Sequence, residues 1–149
     1  MQSVSNLIES GFERERLDQH TLSRIGEILR SALTAEKGII GFAPNIGPDA
    51  DDSAKAITAL QYIGKPFPLD ALLKAFELPT HFQCFQFERN PSLSVNCNVF
   101  IALLKYPEPV KYSSQILKVA TFIAQEYWTT DGIMQDKWVN ISLQVRNRY

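Results

Sequence analysis

The sequence predicts an all-α fold, an array of successive antiparallel helices, on three observations. Apolar residues recur at helical spacing in five separate stretches, short links rich in Pro and Gly divide them, and no alternation of strand and helix units appears. The chain of 149 residues, 45 % apolar and 11 % aromatic, is long enough for one domain with a real core.

From Leu17 to Lys37, Leu22, Ile25, Ile28, Leu29, Ala32 and Leu33 form one amphipathic stripe, with Asp18 or Thr21 to cap its start and Gly38 to stop it. Gly38 to Pro48 is too rich in Gly, Pro and Asn for a helix or a long strand, so a loop is expected. Asp49-Ala50-Asp51-Asp52-Ser53 then opens a helix whose face is Ala54, Ile57, Leu60 and Ile63, closed by Gly64. Leu69, Leu72, Leu73 and Phe76 mark a short third helix bounded by Pro66, Pro68 and Pro79. His81 to Phe87 is aromatic and weakly alternating, which favours a short extended piece. A fourth helix is expected from about Ser94 to Lys105 and a fifth from about Ser113 to Trp128, with Pro107 and Pro109 between them. From Trp138 to Tyr149 the pattern alternates and no longer reads as helix.

Fifteen Lys plus Arg against sixteen Asp plus Glu leave a formal charge of −1 without a basic cluster. That argues against a dedicated nucleic-acid or anionic-membrane surface. Cys84, Cys97, His20 and His81 are too few and too scattered for a zinc site, and the cysteines read as small buried hydrophobes. The N-terminus carries no secretory pattern and no apolar run approaches the roughly 20 residues of a membrane helix. The expectation is a soluble cytoplasmic protein without a membrane span, in which the Asn140-Ile141-Ser142 sequon is inert.

The acidic cluster is the constellation with chemical potential. Its plainest role is capping, an Asp accepting N–H bonds from the first turn at the positive end of the helix dipole. A calcium loop counted from Asp49 would need Gly and Glu where Ala54 and Leu60 stand. A diphosphate–magnesium motif would need a carboxylate one turn beyond Asp51-Asp52, where Lys55 stands. An aspartate nucleophile would follow an apolar strand, not Ile46-Gly47-Pro48. The remaining role is that of a Brønsted acid. Crowded carboxyl groups in an apolar setting cannot all ionise cheaply, and a proton held there can attack an alkene while aromatic faces stabilise the cation.

Three ordered stretches carry a resemblance. Pro48-Asp49-Ala50-Asp51-Asp52-Ser53-Ala54-Lys55-Ala56 is similar to an Asp-x-Asp-Asp box, and Phe87-Glu88-Arg89-Asn90-Pro91-Ser92 to a Glu-Arg-Asn-Pro-Ser stretch. Asp136-Lys137-Trp138 is similar to a downstream Asp-Lys-Trp. Together they resemble the class II diterpene cyclases, of the fungal copalyl diphosphate synthase and bifunctional ent-kaurene synthase type. The resemblance implies part of an α-barrel, the β domain, over residues 17–138, with a segment 1–16 before it and a divergent tail 139–149 after it. It implies that Asp51 is the general acid, that Asp49 and Asp52 tune and position it, and that Asn96, with Asn98 as the alternative, hydrogen-bonds it.

The implied reaction is protonation-initiated cyclisation of geranylgeranyl diphosphate to a copalyl diphosphate-type product. Magnesium would only help to hold the diphosphate. Phe85 and Phe87, with His81 and Phe82, are candidates to line the substrate cavity, although an aromatic run also serves as plain core. Neither the family's γ domain nor its class I half has a counterpart here, so the chain is expected not to cyclise alone. The alternative is a non-catalytic helical module or pseudoenzyme that complements a partner cyclase chain.

Overall fold

Asp18 opens the first helix, α1 (Gln19–Ala35), by accepting the Thr21 N–H at 2.8 Å, a donor that the first turn cannot satisfy itself. The computed structural model describes residues 18–43 and 45–129. The expectations for 1–16, for Asp131 to Trp138 and for the tail 139–149 lie outside the described residues. The chain leaves α1 through Lys37 and Gly38 at positive φ of 57° and 99°, and the Gly38 N–H returns to the Leu33 carbonyl at 2.6 Å.

The loop after Gly38 leads into α2 (Ala50–Tyr62), followed by α3 (Asp70–Phe76) and α4 (Leu93–Leu104). A 3-10 turn, Pro109–Tyr112, then feeds α5 (Ser113–Thr129). Each helix lies within two residues of its expected bounds, because the caps and breakers that end it are local. Ser92, for example, opens α4 by accepting the Val95 N–H at 3.3 Å.

α2 is the centre of the array and packs against α1, α3 and α4, while α4 carries the contact to α5. Its alanines explain the position: Ala50, Ala54, Ala56 and Ala59 are buried alongside Ile57 and Leu60, so neighbouring helices approach on several sides. Gly26 on α1 allows one such approach, since a Cβ there would come within 2.6 Å of Ile63 Cδ1. Leu33, Ile57, Leu60, Leu69, Leu72, Phe76, Phe82, Val99, Leu103 and Val119 are fully buried and form the core.

The described residues are all-α in their regular structure, as expected, but the extended piece at His81–Phe87 is reduced to one bridge. Phe82 pairs antiparallel with Glu77 in an isolated bridge, and the remainder is bends and turns. The bridge is made by the Gln83 N–H on the Phe76 carbonyl and the Leu78 N–H on the His81 carbonyl. It cannot lengthen because Phe76 ends α3 on one side and the chain bends at 79–81 on the other, while the Asn96 side chain takes the Phe82 N–H and carbonyl on the opposite edge.

Candidate active site

The N-terminus of α2 is held by two loops. From one side, the Asp49 N–H donates to the Ile40 carbonyl at 3.0 Å, and the Ser53 hydroxyl accepts the Ile40 N–H at 2.9 Å. From the other side, the Ala50 N–H donates to the Cys84 carbonyl at 2.9 Å. Two of the donors that a helix start leaves unpaired are thereby satisfied by fixed backbone.

Asp49 is the N-cap of α2: its Oδ1 accepts the Asp52 N–H at 2.7 Å, and the residue is only 3 % exposed. Burial pushes its carboxyl up to about 6, the nearby Asp52 and Asp51 adding to the shift and the backbone donors opposing it. Crowding in an apolar setting is expected to leave one carboxyl protonated; the carboxyl raised here is that of Asp49, burial is the largest cause, and at about 6 it still ionises below neutral pH.

Asp51, two residues later in the first turn of the same helix, is gripped on both oxygens. Asn98 Nδ2 donates to Oδ1 at 2.7 Å and Lys55 Nζ to Oδ2 at 2.6 Å. The Asp51 and Lys55 side chains retain 26 % and 15 % of their accessibility, so the carboxylate sits at the edge of the packed interior. Asp52 is half-buried beside it and supplies the backbone N–H that Asp49 caps.

The amide that reaches Asp51 is therefore that of Asn98, and the expectation favouring Asn96 is corrected. Residues two apart on a helix point about 200° from each other, so the two amides cannot serve one carboxylate. Asn96 is fully buried and faces away, its Oδ1 accepting the Phe82 N–H at 2.8 Å. Its Nδ2 donates to the carbonyls of Phe82 at 2.9 Å and Ser92 at 2.8 Å.

The aromatic run divides. Phe82 is fully buried core, Phe85 is half-buried against that core, and His81 stacks on Phe122 at 5.3 Å between ring centroids. Phe87, expected to line a cavity, is 93 % exposed on this chain at a φ of 67°. The Cys84 side chain is buried and Cys97 is half-buried, in line with their reading as small hydrophobes.

Sequence reasoning used Lys55 only to exclude a metal motif, although its place four residues after Asp51 is the spacing of a helical ion pair. It gave no role to Glu88, whose Oε2 accepts the Cys84 N–H at 2.8 Å. A loop carboxylate bonded to a backbone four residues back has no periodic signature in the sequence.

Among the described residues no group of three or more His, Cys, Asp or Glu side chains is arranged to hold a metal ion. The acidic cluster itself does not fit one, since Asp49 Oδ1 is committed to the Asp52 N–H and both Asp51 oxygens to Asn98 and Lys55. Among the same residues no helix is long and apolar enough to cross a membrane.

No family model matches the chain. Individual relatives do. The bifunctional premutilin synthase of Clitopilus passeckerianus is 43 % identical over 140 residues, which cover 94 % of this chain and 14 % of that protein. The copalyl diphosphate synthase of Talaromyces verruculosus is 41 % identical over 135 residues, 91 % of this chain and 14 % of its own length. In structure, the ent-copalyl diphosphate synthase from Streptomyces platensis superposes with a TM-score of 0.72 at 25 % identity, covering 90 % of this chain and 26 % of that one. Over nearly all of its own length this chain is thus similar to one segment of these fungal synthases, and it spans about 14 % of the length of the fungal relatives it matches.

Proposed function

We propose that this chain is the acid-bearing part of the β-domain α-barrel of a class II diterpene cyclase, and that Asp51 supplies the proton that starts the reaction. The substrate in this reading is geranylgeranyl diphosphate and the product a copalyl diphosphate-type bicycle with the diphosphate retained. The observation that carries the reading is the Asn98–Asp51 contact at 2.7 Å, within a chain similar to one segment of a copalyl diphosphate synthase. Protonating an unactivated alkene needs a carboxylic acid held in one orientation, and the Asn98 amide supplies that hold at Oδ1. The proton to be transferred is carried on Oδ2 after Lys55 withdraws from it, the carboxylate left behind regaining the Lys55 contact. Asp49 and Asp52 shape the acid's surroundings from the same helix turn, and Phe85 is the aromatic side chain nearest to a lining role. Any magnesium would act at the diphosphate only, through groups other than this cluster.

A carbocation must be shielded from water until it is deprotonated. With Asp51 at the edge of the packed interior, the wall that faces it has to come from other protein, so the chain alone is expected to be inactive. A second reading, a helical module that complements a separate cyclase chain, is favoured by apolar side chains left open at both ends of the array. Ile28 on α1 and Leu117 and Trp128 on α5 are 65 %, 69 % and 77 % exposed.

The test is a segment exchange. This chain replaces the homologous 14 % of the Talaromyces copalyl diphosphate synthase, and products from geranylgeranyl diphosphate are analysed after dephosphorylation. The expected result is a copalyl-type alcohol that disappears in Asp51→Ala. A folded chimera whose product survives Asp51→Ala would overturn the assignment of the acid. The unfused chain, mixed with a copy of the relative lacking this segment, tests the second reading by restoration of product.

A further inference from the structure

Asn96 is a fully buried asparagine whose side-chain hydrogen bonds all go to backbone, and Glu88 is a half-buried loop carboxylate turned back on its own loop. We propose that these two are positioning residues for Asp51, acting through the backbone of the loop from Phe82 to Glu88. The proposal deepens the reading of Asp51 as the acid, and rests on it for its catalytic consequence.

A buried amide is costly unless its groups are bonded, and an apolar side chain would fill the same space without that cost. The Asn96 amide spends its acceptor and both its donors on backbone: Phe82 N–H, Phe82 carbonyl and Ser92 carbonyl. It thereby stands where a neighbouring strand would stand and fixes Phe82 to α4. Two residues on, Cys84 is fixed on both sides, its N–H to Glu88 Oε2 at 2.8 Å and its carbonyl to the Ala50 N–H at 2.9 Å. Ala50 is the first residue of α2, and Asp51 is the next.

Helix α4 thus holds the acid by two arms. Asn98 bonds the carboxylate directly, and Asn96 holds the shelf of backbone on which the first turn of the acid's helix rests. The turn that brings Glu88 back is itself strained. The Glu88 N–H closes it on the Phe85 carbonyl at 3.2 Å, with Phe87 in the left-handed region at φ 67°, where an aromatic residue is disfavoured. The Glu88–Cys84 bond is what that strain secures. Release of the shelf frees the Ala50 N–H, frays the first turn of α2 and moves Asp51 against Asn98. A displacement of about 1 Å at a reacting group is enough to cost about a hundredfold in rate.

The experiment is amide hydrogen exchange by NMR on the 149-residue chain, with the Asn98 side-chain NH2 resonances as the reporter of its bond to Asp51. In Glu88→Ala, exchange at Ala50 and Cys84 is expected to quicken by about tenfold or more while α5 amides keep their protection. The Asn98 resonances shift, and Glu88→Gln, which retains an acceptor, restores both. Asn96→Ala is expected to add Phe82 to the exposed amides; if it does not fold, the Glu88 pair decides.

Unchanged Ala50 exchange and Asn98 resonances in Glu88→Ala overturn the proposal, as does an equal loss of protection throughout α5, which a merely structural role would give. In the segment-exchange chimera Glu88→Ala is expected to lower kcat with little change in KM. If product survives Asp51→Ala there while Glu88→Ala still loosens Ala50, the acid reading falls and the hold on the helix stands.

Discussion

Asn98 donates its side-chain amide to Asp51 across 47 residues of sequence, while Asn96, two residues earlier on the same helix, is turned wholly to the backbone of Phe82 and Ser92. One helix therefore presents two amides with different duties. The one at the edge orients a carboxylate, and the one in the interior replaces a missing strand.

The duties separate on mutation. Asn98→Ala removes a single donor from a half-buried carboxylate and is expected to cost about 1–2 kcal/mol of stability. Asn96→Ala strands the Phe82 N–H and the Phe82 carbonyl in the interior, while the Ser92 carbonyl keeps the Asn96 backbone N–H at 3.2 Å, and is expected to cost about 3 kcal/mol or more. Urea unfolding midpoints compare them. A milder effect for Asn96→Ala than for Asn98→Ala would mean that the two amides have been given the wrong roles.

Asp49 predicts a pH dependence with a definite sign. Its carboxyl titrates at about 6 in the folded chain against 3.8 for the free group. Between those values the folded state holds a proton that the unfolded state has lost, so stability falls as pH rises through that window, by at most about 3 kcal/mol. Asp49→Asn keeps an effective N-cap and removes the buried charge. Unfolding free energies measured from pH 4 to pH 8 should flatten in this variant, with a gain in stability above pH 6. An unchanged slope would place the titration elsewhere.

The helices were legible in the sequence because their determinants are local: Asp18, Asp49 and Ser92 cap the starts of α1, α2 and α4. The acidic cluster was legible for the same reason. What joins the cluster to the remainder of the site was not. Whether Asn96 or Asn98 faces Asp51 depends on the rotation of α4 about its axis, and the low polarity contrast of Leu93–Leu104 leaves that rotation open to periodicity. Phe87 looked like a lining residue from its composition, yet a single positive φ turns it out to 93 % exposure. Backbone dihedrals of that kind have no signal in a residue that is not glycine.

Two glycines permit a contrast. At Gly38 the φ of 99° and a Cβ only 2.7 Å from Ala71 Cβ leave no relaxed place for a side chain, and Gly38→Ala should cost about 2 kcal/mol or more. At Gly26 the obstacle is Ile63 Cδ1 at 2.6 Å, the far end of a flexible side chain, set against the helical preference for Ala. Gly26→Ala should fall within about 1 kcal/mol of the parent, because a propensity gain of that order offsets the repacking. Thermal unfolding of the pair checks the ranking, and equal losses would contradict it.

Phe87 offers the sharpest separation of stability from function. Its side chain buries almost nothing on this chain, while its backbone sits in a region that costs an aromatic residue about 1 kcal/mol or more. Phe87→Gly removes the strain and little burial, so stability measured by urea should rise by about 1 kcal/mol. The turn that this strain supports returns Glu88 to Cys84, and in the proposed function the exposed Phe87 ring is in addition available to substrate or to the protein that completes the cavity. The expected outcome in the segment-exchange chimera is therefore a gain in stability accompanied by a loss of cyclase product. Phe87→Gly with full activity would reduce Phe87 to a feature of the turn that returns Glu88 to Cys84.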